Sequence, residues 1–225
     1  MFKLILSSVL VFALSYIIFN AYDSYINNLN KSNDNEKTND NQKQEFSYEE
    51  TESEPQSTED TIPYLFNISV NDITGITKKL KEYTQNKKAI LFVNVASECG
   101  YTDNNYKELQ IMYNMYSKKG LQILAFPCNQ FGNQENKQET WIKNFVESKY
   151  KIDFPMFSKI NVNGEDTHEV YKYLKLKAGN KLKNGNIEWN FAKFLVNNKG
   201  ELVEFFSTQI SPNKILPAIK NLLRS

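Results

Sequence analysis

Residues 62–225 predict an α/β fold, a central mixed β-sheet flanked by helices, and three observations carry that expectation. A strongly apolar run at 89–95 (Ala-Ile-Leu-Phe-Val-Asn-Val) has the character of a strand covered on both faces. A helical repeat follows it, and a second apolar run follows the helix. Near the end, two apolar runs flank Asn197-Asn198-Lys199-Gly200, the pattern of a β-hairpin.

The elements follow in order. Leu109, Met112, Tyr113 and Tyr116 recur at i, i+3, i+4 and i+7, and Gly120 ends that helix. Residues 121–126 (Leu-Gln-Ile-Leu-Ala-Phe) make the next strand. A helix is expected over 139–150, with Trp141, Ile142, Phe145 and Val146 as its apolar positions. Another is expected over 168–176, with Val170, Tyr171 and Leu174. Strands at 194–196 and 202–205 form the hairpin, and a last helix runs from about 212 to 223. Strand–helix–strand first and an antiparallel hairpin last is the order of a thioredoxin-like α/β sandwich. Its 164 residues are enough for one buried core.

The first 61 residues read differently. No residue from 4 to 19 is charged, and Lys3 supplies a positive flank. That length falls between a signal-peptide core and a full membrane span. Residues 1–22 are therefore expected to be a signal anchor or a signal peptide, with an organelle leader as the remaining reading. The chain is expected to be membrane-anchored, in the secretory pathway or in an organelle. Residues 23–61 are rich in Asn, Glu, Ser, Thr, Gln and Asp and are expected to be a disordered acidic linker. From 31 to 61 there are ten acidic residues against three lysines, a charge of −7, and residues 1–30 are neutral. The whole chain is +1, so residues 62–225 carry +8. A basic body favours anionic partners such as lipid headgroups or an acidic tripeptide, although a solvated lysine-rich surface explains it as well. No nucleic-acid partner is expected. Asn30-Lys31-Ser32 and Asn67-Ile68-Ser69 are glycosylation sequons, which matter only in a lumenal setting.

Two cysteines, Cys99 and Cys128, make no disulfide scaffold. With His168 as the one histidine, neither a structural nor a catalytic zinc is expected. His168 stands in a polar stretch and reads as a surface residue near a helix start. Cys99 follows the first buried strand and precedes the helix that starts near Thr102. Exposed N–H groups and the positive end of the helix dipole favour thiolate there, the species that attacks a disulfide or a peroxide. Gly100 beside it argues against full burial. The residue three positions after Cys99 is Thr102, so disulfide exchange through a Cys-x-x-Cys pair is excluded.

Three stretches occur in order. They are Asn94-Val-Ala-Ser-Glu-Cys-Gly-Tyr-Thr102, Phe126-Pro-Cys-Asn-Gln-Phe-Gly-Asn-Gln-Glu135 and Trp189-Asn-Phe-Ala-Lys-Phe194. Together they resemble the signature regions of the glutathione peroxidases. The likeness extends through Phe154-Pro-Met-Phe157 and Lys159-Ile-Asn-Val-Asn-Gly164 over nearly all of residues 62–225. By that resemblance Cys99 is the peroxidatic residue, surrounded by Gln134, Trp189 and Asn190. The amide and indole N–H groups are neutral donors, able to stabilise a thiolate and the charge that develops as an O–O bond breaks. No cofactor or metal is implied. Glutathione or another thiol is the reducing co-substrate, and hydrogen, organic or lipid hydroperoxides are the substrates.

Two departures from the family pattern carry consequences. Glu98 precedes Cys99 where many relatives have a non-acidic residue, and an inward-pointing carboxylate there would disfavour the thiolate. Relatives that use thioredoxin carry a resolving cysteine in the helix after the Gln134 loop. Here that helix reads Asn144-Phe-Val-Glu-Ser148 and has none, which favours glutathione over thioredoxin. Cys128 is expected to be structural, and oxidised Cys99 to be a sulfenic acid or mixed disulfide. The short segment 177–186 resembles the monomeric, phospholipid-hydroperoxide branch. A redox sensor that passes oxidation from Cys99 to a partner protein, and a thioredoxin-dependent peroxidase, are the alternatives.

Overall fold

The computed structural model describes residues 64–224. The expected leader or anchor at 1–22 and the acidic linker at 23–61 lie outside the described residues. Among the described residues no helix is long and apolar enough to cross a membrane.

The chain enters through a 3₁₀ turn at Leu65–Asn67 and a small antiparallel hairpin, β1 (Ser69–Asn71) and β2 (Thr77–Lys79), followed by a one-turn helix α1 (Lys81–Thr84). Between β1 and β2 the Asp72 carboxylate accepts from the N–H groups of Thr74 and Ile76 and from the Thr74 hydroxyl, which closes the turn. The sequence reading assigned no element before residue 89.

The expected elements then follow: β3 (Ala89–Val95), α2 (Thr102–Tyr116), β4 (Leu121–Pro127), α3 (Glu139–Tyr150), α4 (Glu169–Ala178), β5 (Lys193–Asn197), β6 (Leu202–Phe206) and α5 (Pro212–Arg224). The strands form one mixed sheet in the order β4-β3-β5-β6. β3 pairs with β4 in parallel, from Ala89 opposite Leu121 to Val95 opposite Pro127. β5 pairs antiparallel with β3 and with β6. β3 and β4 are buried at every position, as their unbroken apolar runs require. Ile90, Phe92, Leu124, Phe126 and Phe194 share one cluster with Val170, Tyr171 and Leu174 of α4. The alternate side chains Leu91 and Val93 point to the other face, where α2 packs against α5. This is the expected thioredoxin-like arrangement, and it places the ends of β3 and β4 side by side.

α2 ends in a 3₁₀ turn closed by Gly120 at φ +109, where a Cβ would lie 3.3 Å from the Lys88 side chain. Trp141 departs from expectation. It is 42% exposed and stacks on Phe145, while the buried stripe of α3 is Ile142, Val146 and Tyr150. Amphipathic aromatics keep helical spacing without needing a core position. His168 does stand at a helix start, but it is half-buried: its Nδ1 caps α4 by accepting from the Val170 N–H, and burial holds its ring below the ordinary histidine range.

Candidate active site

Cys99 sits in the turn between β3 and α2, and Thr102 shapes that turn. The Thr102 hydroxyl donates to the Ala96 carbonyl (2.7 Å) and accepts from the Cys99 N–H (3.0 Å), and its own N–H donates to the Cys99 carbonyl (3.0 Å). The Cys99 sulfur accepts from the Tyr101 N–H at 3.5 Å, which aims the positive end of an N–H dipole at it. Cys99 is 8% exposed, more buried than its neighbour Gly100 suggested, because the Thr102 clamp folds the turn back on the end of β3. Glu98 points to solvent, 3.7 Å from Lys137, so the inward carboxylate is not present.

Gln134 lies in the loop after β4. Gly132 (φ +64) and Asn133 (φ +53) are both left-handed there, and a Cβ on Gly132 would come within 3.4 Å of the Gln134 amide nitrogen. The loop is joined to the Cys99 turn by a bond from the Glu98 N–H to the Gln134 carbonyl (3.0 Å). The Gln134 side-chain oxygen accepts from the Asn190 amide (3.0 Å), which fixes the orientation of the Gln134 amide.

Trp189 and Asn190 precede β5. Asn94, fully buried in β3, holds them: its amide donates to the Trp189 carbonyl, its side-chain oxygen accepts from the Ala192 N–H, and its carbonyl accepts from the Phe191 N–H. Trp189 is 37% exposed, with its ring 5.9 Å from Phe131 of the Gln134 loop. Gln134 thus joins the site, through its backbone to the Cys99 turn and through its side chain to Asn190. The link from Cys99 to the other three residues runs through backbone, since the hydrogen bond to its sulfur comes from Tyr101.

Beside Gln134 stands Glu135, which the sequence reading did not single out. It is buried and accepts from the Ser97 hydroxyl (3.1 Å), two residues before Cys99. Burial raises its carboxyl to about 7, against the pull of Ser97 and Lys159. Asn94 and Lys193, both fully buried, were likewise missed. A polar or charged residue inside an apolar strand run was the available signal.

Cys128 is fully buried in the core cluster, and burial pushes its thiol above the ordinary range. Its N–H donates to the Val95 carbonyl. Both cysteines are free thiols. Among the described residues no group of three or more Asp, Glu, His and Cys side chains could hold a metal.

The sequence model of the glutathione peroxidase family matches residues 65–175. A probable mitochondrial glutathione peroxidase of Arabidopsis thaliana is 45% identical over 173 residues, 77% of this chain and 82% of that protein. A probable phospholipid hydroperoxide glutathione peroxidase of Mesembryanthemum crystallinum is 48% identical over 136 residues, 60% of this chain and 79% of that protein. Among solved structures, T. cruzi GPX1 superposes with a TM-score of 0.59 at 33% identity, over 72% of this chain and 97% of that one.

Proposed function

The chain belongs to the glutathione peroxidase family, and from that premise we propose that Cys99 is the residue that attacks the peroxide. The protein is a thiol-dependent peroxidase, an oxidoreductase that reduces hydroperoxides. The observation that supports the assignment of Cys99 is its place. It is a thiol at the mouth of α2, with an N–H on its sulfur and Thr102 where an exchange motif would need a second cysteine.

The Cys99 thiolate attacks one peroxide oxygen with its electron pair, the O–O bond breaks, and the departing alkoxide takes a proton to leave as alcohol. Cys99 becomes sulfenic acid. A first thiol condenses with it, releasing water and forming a mixed disulfide. A second thiol displaces the first as a disulfide and restores the thiolate. Gln134, held by Asn190, and the Trp189 indole supply donors to the sulfur and to the departing oxygen. Cys128 takes no part, because it is buried with a disfavoured thiolate. The reductant is therefore an external thiol, glutathione or a thioredoxin-type protein.

The half-exposed Trp189 and the short 177–186 segment suit a monomer with a site open to organic and lipid hydroperoxides. Residues 1–22, as an anchor or leader, would deliver it to a membrane or organelle, with residues 23–61 as tether.

The test is turnover of hydrogen peroxide and a phospholipid hydroperoxide by the full chain, with glutathione and with thioredoxin in parallel. Many turnovers with at least one reductant are expected. Near-stoichiometric consumption with both would make the protein a redox relay instead.

A further inference from the structure

Phe191 follows the Trp189–Asn190 pair and adopts φ +63, a conformation that is strained for a non-glycine residue and persists only where its surroundings over-determine it. Here they do. Its N–H donates to the Asn94 carbonyl at 2.6 Å, and its ring is buried edge-on to Tyr106. Its carbonyl accepts from the amino group of Lys193 at 2.7 Å. Lys193 is fully buried on β5 and donates a second bond, 2.8 Å, to the Ile210 carbonyl. From the same loop, the Thr208 hydroxyl donates to the Asn190 carbonyl at 2.8 Å. The loop before α5 is thus joined twice to the segment that carries Trp189 and Asn190.

We propose that Lys193 is a positioning residue for peroxide reduction: it braces the left-handed Phe191 peptide against the 207–210 loop and so holds Asn190 where it can orient Gln134. A buried amine is costly, and an apolar side chain of similar length would fill the same core space at less cost. What the amine adds is two directed N–H groups for two carbonyls that have turned out of the β-ladder. Burial lowers its amino group to about 7, opposed by Glu108 of α2, whose carboxylate accepts from the Asn213 N–H. The charged and the neutral amine both carry enough N–H groups for the two bonds. The inference rests on the roles proposed above for Gln134 and Asn190.

The experiment is single-turnover oxidation of Cys99 by hydroperoxide in the full chain, with the thiol-reduction step measured separately. Lys193→Met keeps the length and removes the donors. Oxidation should slow about 10- to 100-fold, as expected when a catalytic group is misplaced, with reduction unchanged within about twofold. Because Lys193 acts through Asn190, Lys193→Met should slow an Asn190→Ala chain no more than about twofold further. A full multiplicative loss in the double variant, or wild-type oxidation in a folded Lys193→Met chain, overturns the brace. Wild-type oxidation in Asn190→Ala alone overturns the reading of the site itself. If Lys193→Met does not fold, Thr208→Val removes the other bond without changing shape. It should slow the same step about 3- to 10-fold, an effect lost in the Asn190→Ala background, and wild-type oxidation there overturns the proposal.

Discussion

Replacing Glu135 by Gln removes one ionisation from the junction of the two loops that carry Cys99 and Gln134. The folded protein holds the Glu135 proton to about pH 7, whereas the unfolded chain releases it near 4.5. The folded state therefore binds more protons throughout that window. The contribution of Glu135 to stability is complete below pH 4.5, declines as pH rises to about 7, and is then flat. At ~1.4 kcal/mol per pH unit, the decline amounts to roughly 3 kcal/mol. The cause is burial, with the charge of Glu98 adding to it and Ser97 and Lys159 opposing it. Glu135→Gln keeps an oxygen for the Ser97 hydroxyl and does not titrate. Urea unfolding at pH 5 and pH 8 is the assay. For a urea slope of about 2 kcal/mol/M, the wild-type midpoint should fall by about 1 to 1.5 M more than that of the variant. Equal pH dependence in the two proteins would refute the reasoning, since Glu135 would then be titrating as it does in the unfolded chain.

Three further outcomes are expected. Gln134→Ala and Asn190→Ala should each slow oxidation of Cys99, the first by about 10²–10³ if it donates to the departing oxygen, and leave the reductive step unchanged; stopped-flow rates with peroxide and then with thiol separate the two. Cys128→Ala should keep turnover within about twofold and lose about 1 kcal/mol of stability from its small cavity, read by steady-state assay and urea unfolding. After peroxide treatment, peptide mass spectrometry should find Cys99 as sulfenic acid or mixed disulfide; a dominant Cys99–Cys128 peptide would restore an internal dithiol mechanism.

The strands and long helices were legible in the sequence because burial imposes a period. β3 and β4 are apolar throughout since both faces are covered, and α2 repeats its buried residues at helical spacing. The β1–β2 hairpin was not, since three-residue strands with one inward side chain, Val70, give periodicity nothing to detect. Trp141 counted among the apolar positions of its helix, yet it is 42% exposed, because spacing reports a face but not how deeply an amphipathic ring is covered. Cys99 was legible from its place between a buried strand and a helix start, and Gln134, Trp189 and Asn190 came from motif resemblance. The bond between Asn190 and Gln134 could not be read from either segment, since it depends on two loops meeting. Of the polar side chains behind them, Asn94 and Lys193 looked like interruptions of apolar runs, and Glu135 like one more polar residue of a polar loop. Their partners are backbone groups and a hydroxyl in turns and loops, and the positive φ of Phe191 that exposes one such carbonyl leaves no mark on the sequence.

The central claim is that Cys99 performs the attack on the peroxide. Steady-state hydroperoxide consumption by Cys99→Ser, beside wild type at equal concentration and with the same thiol, tests it most directly. Serine preserves the size of the side chain and, with it, the Thr102-clamped turn. Consumption should fall to the background of the thiol alone while the fold, by circular dichroism, stays intact. A folded Cys99→Ser protein that retains more than a few per cent of wild-type turnover would contradict the account.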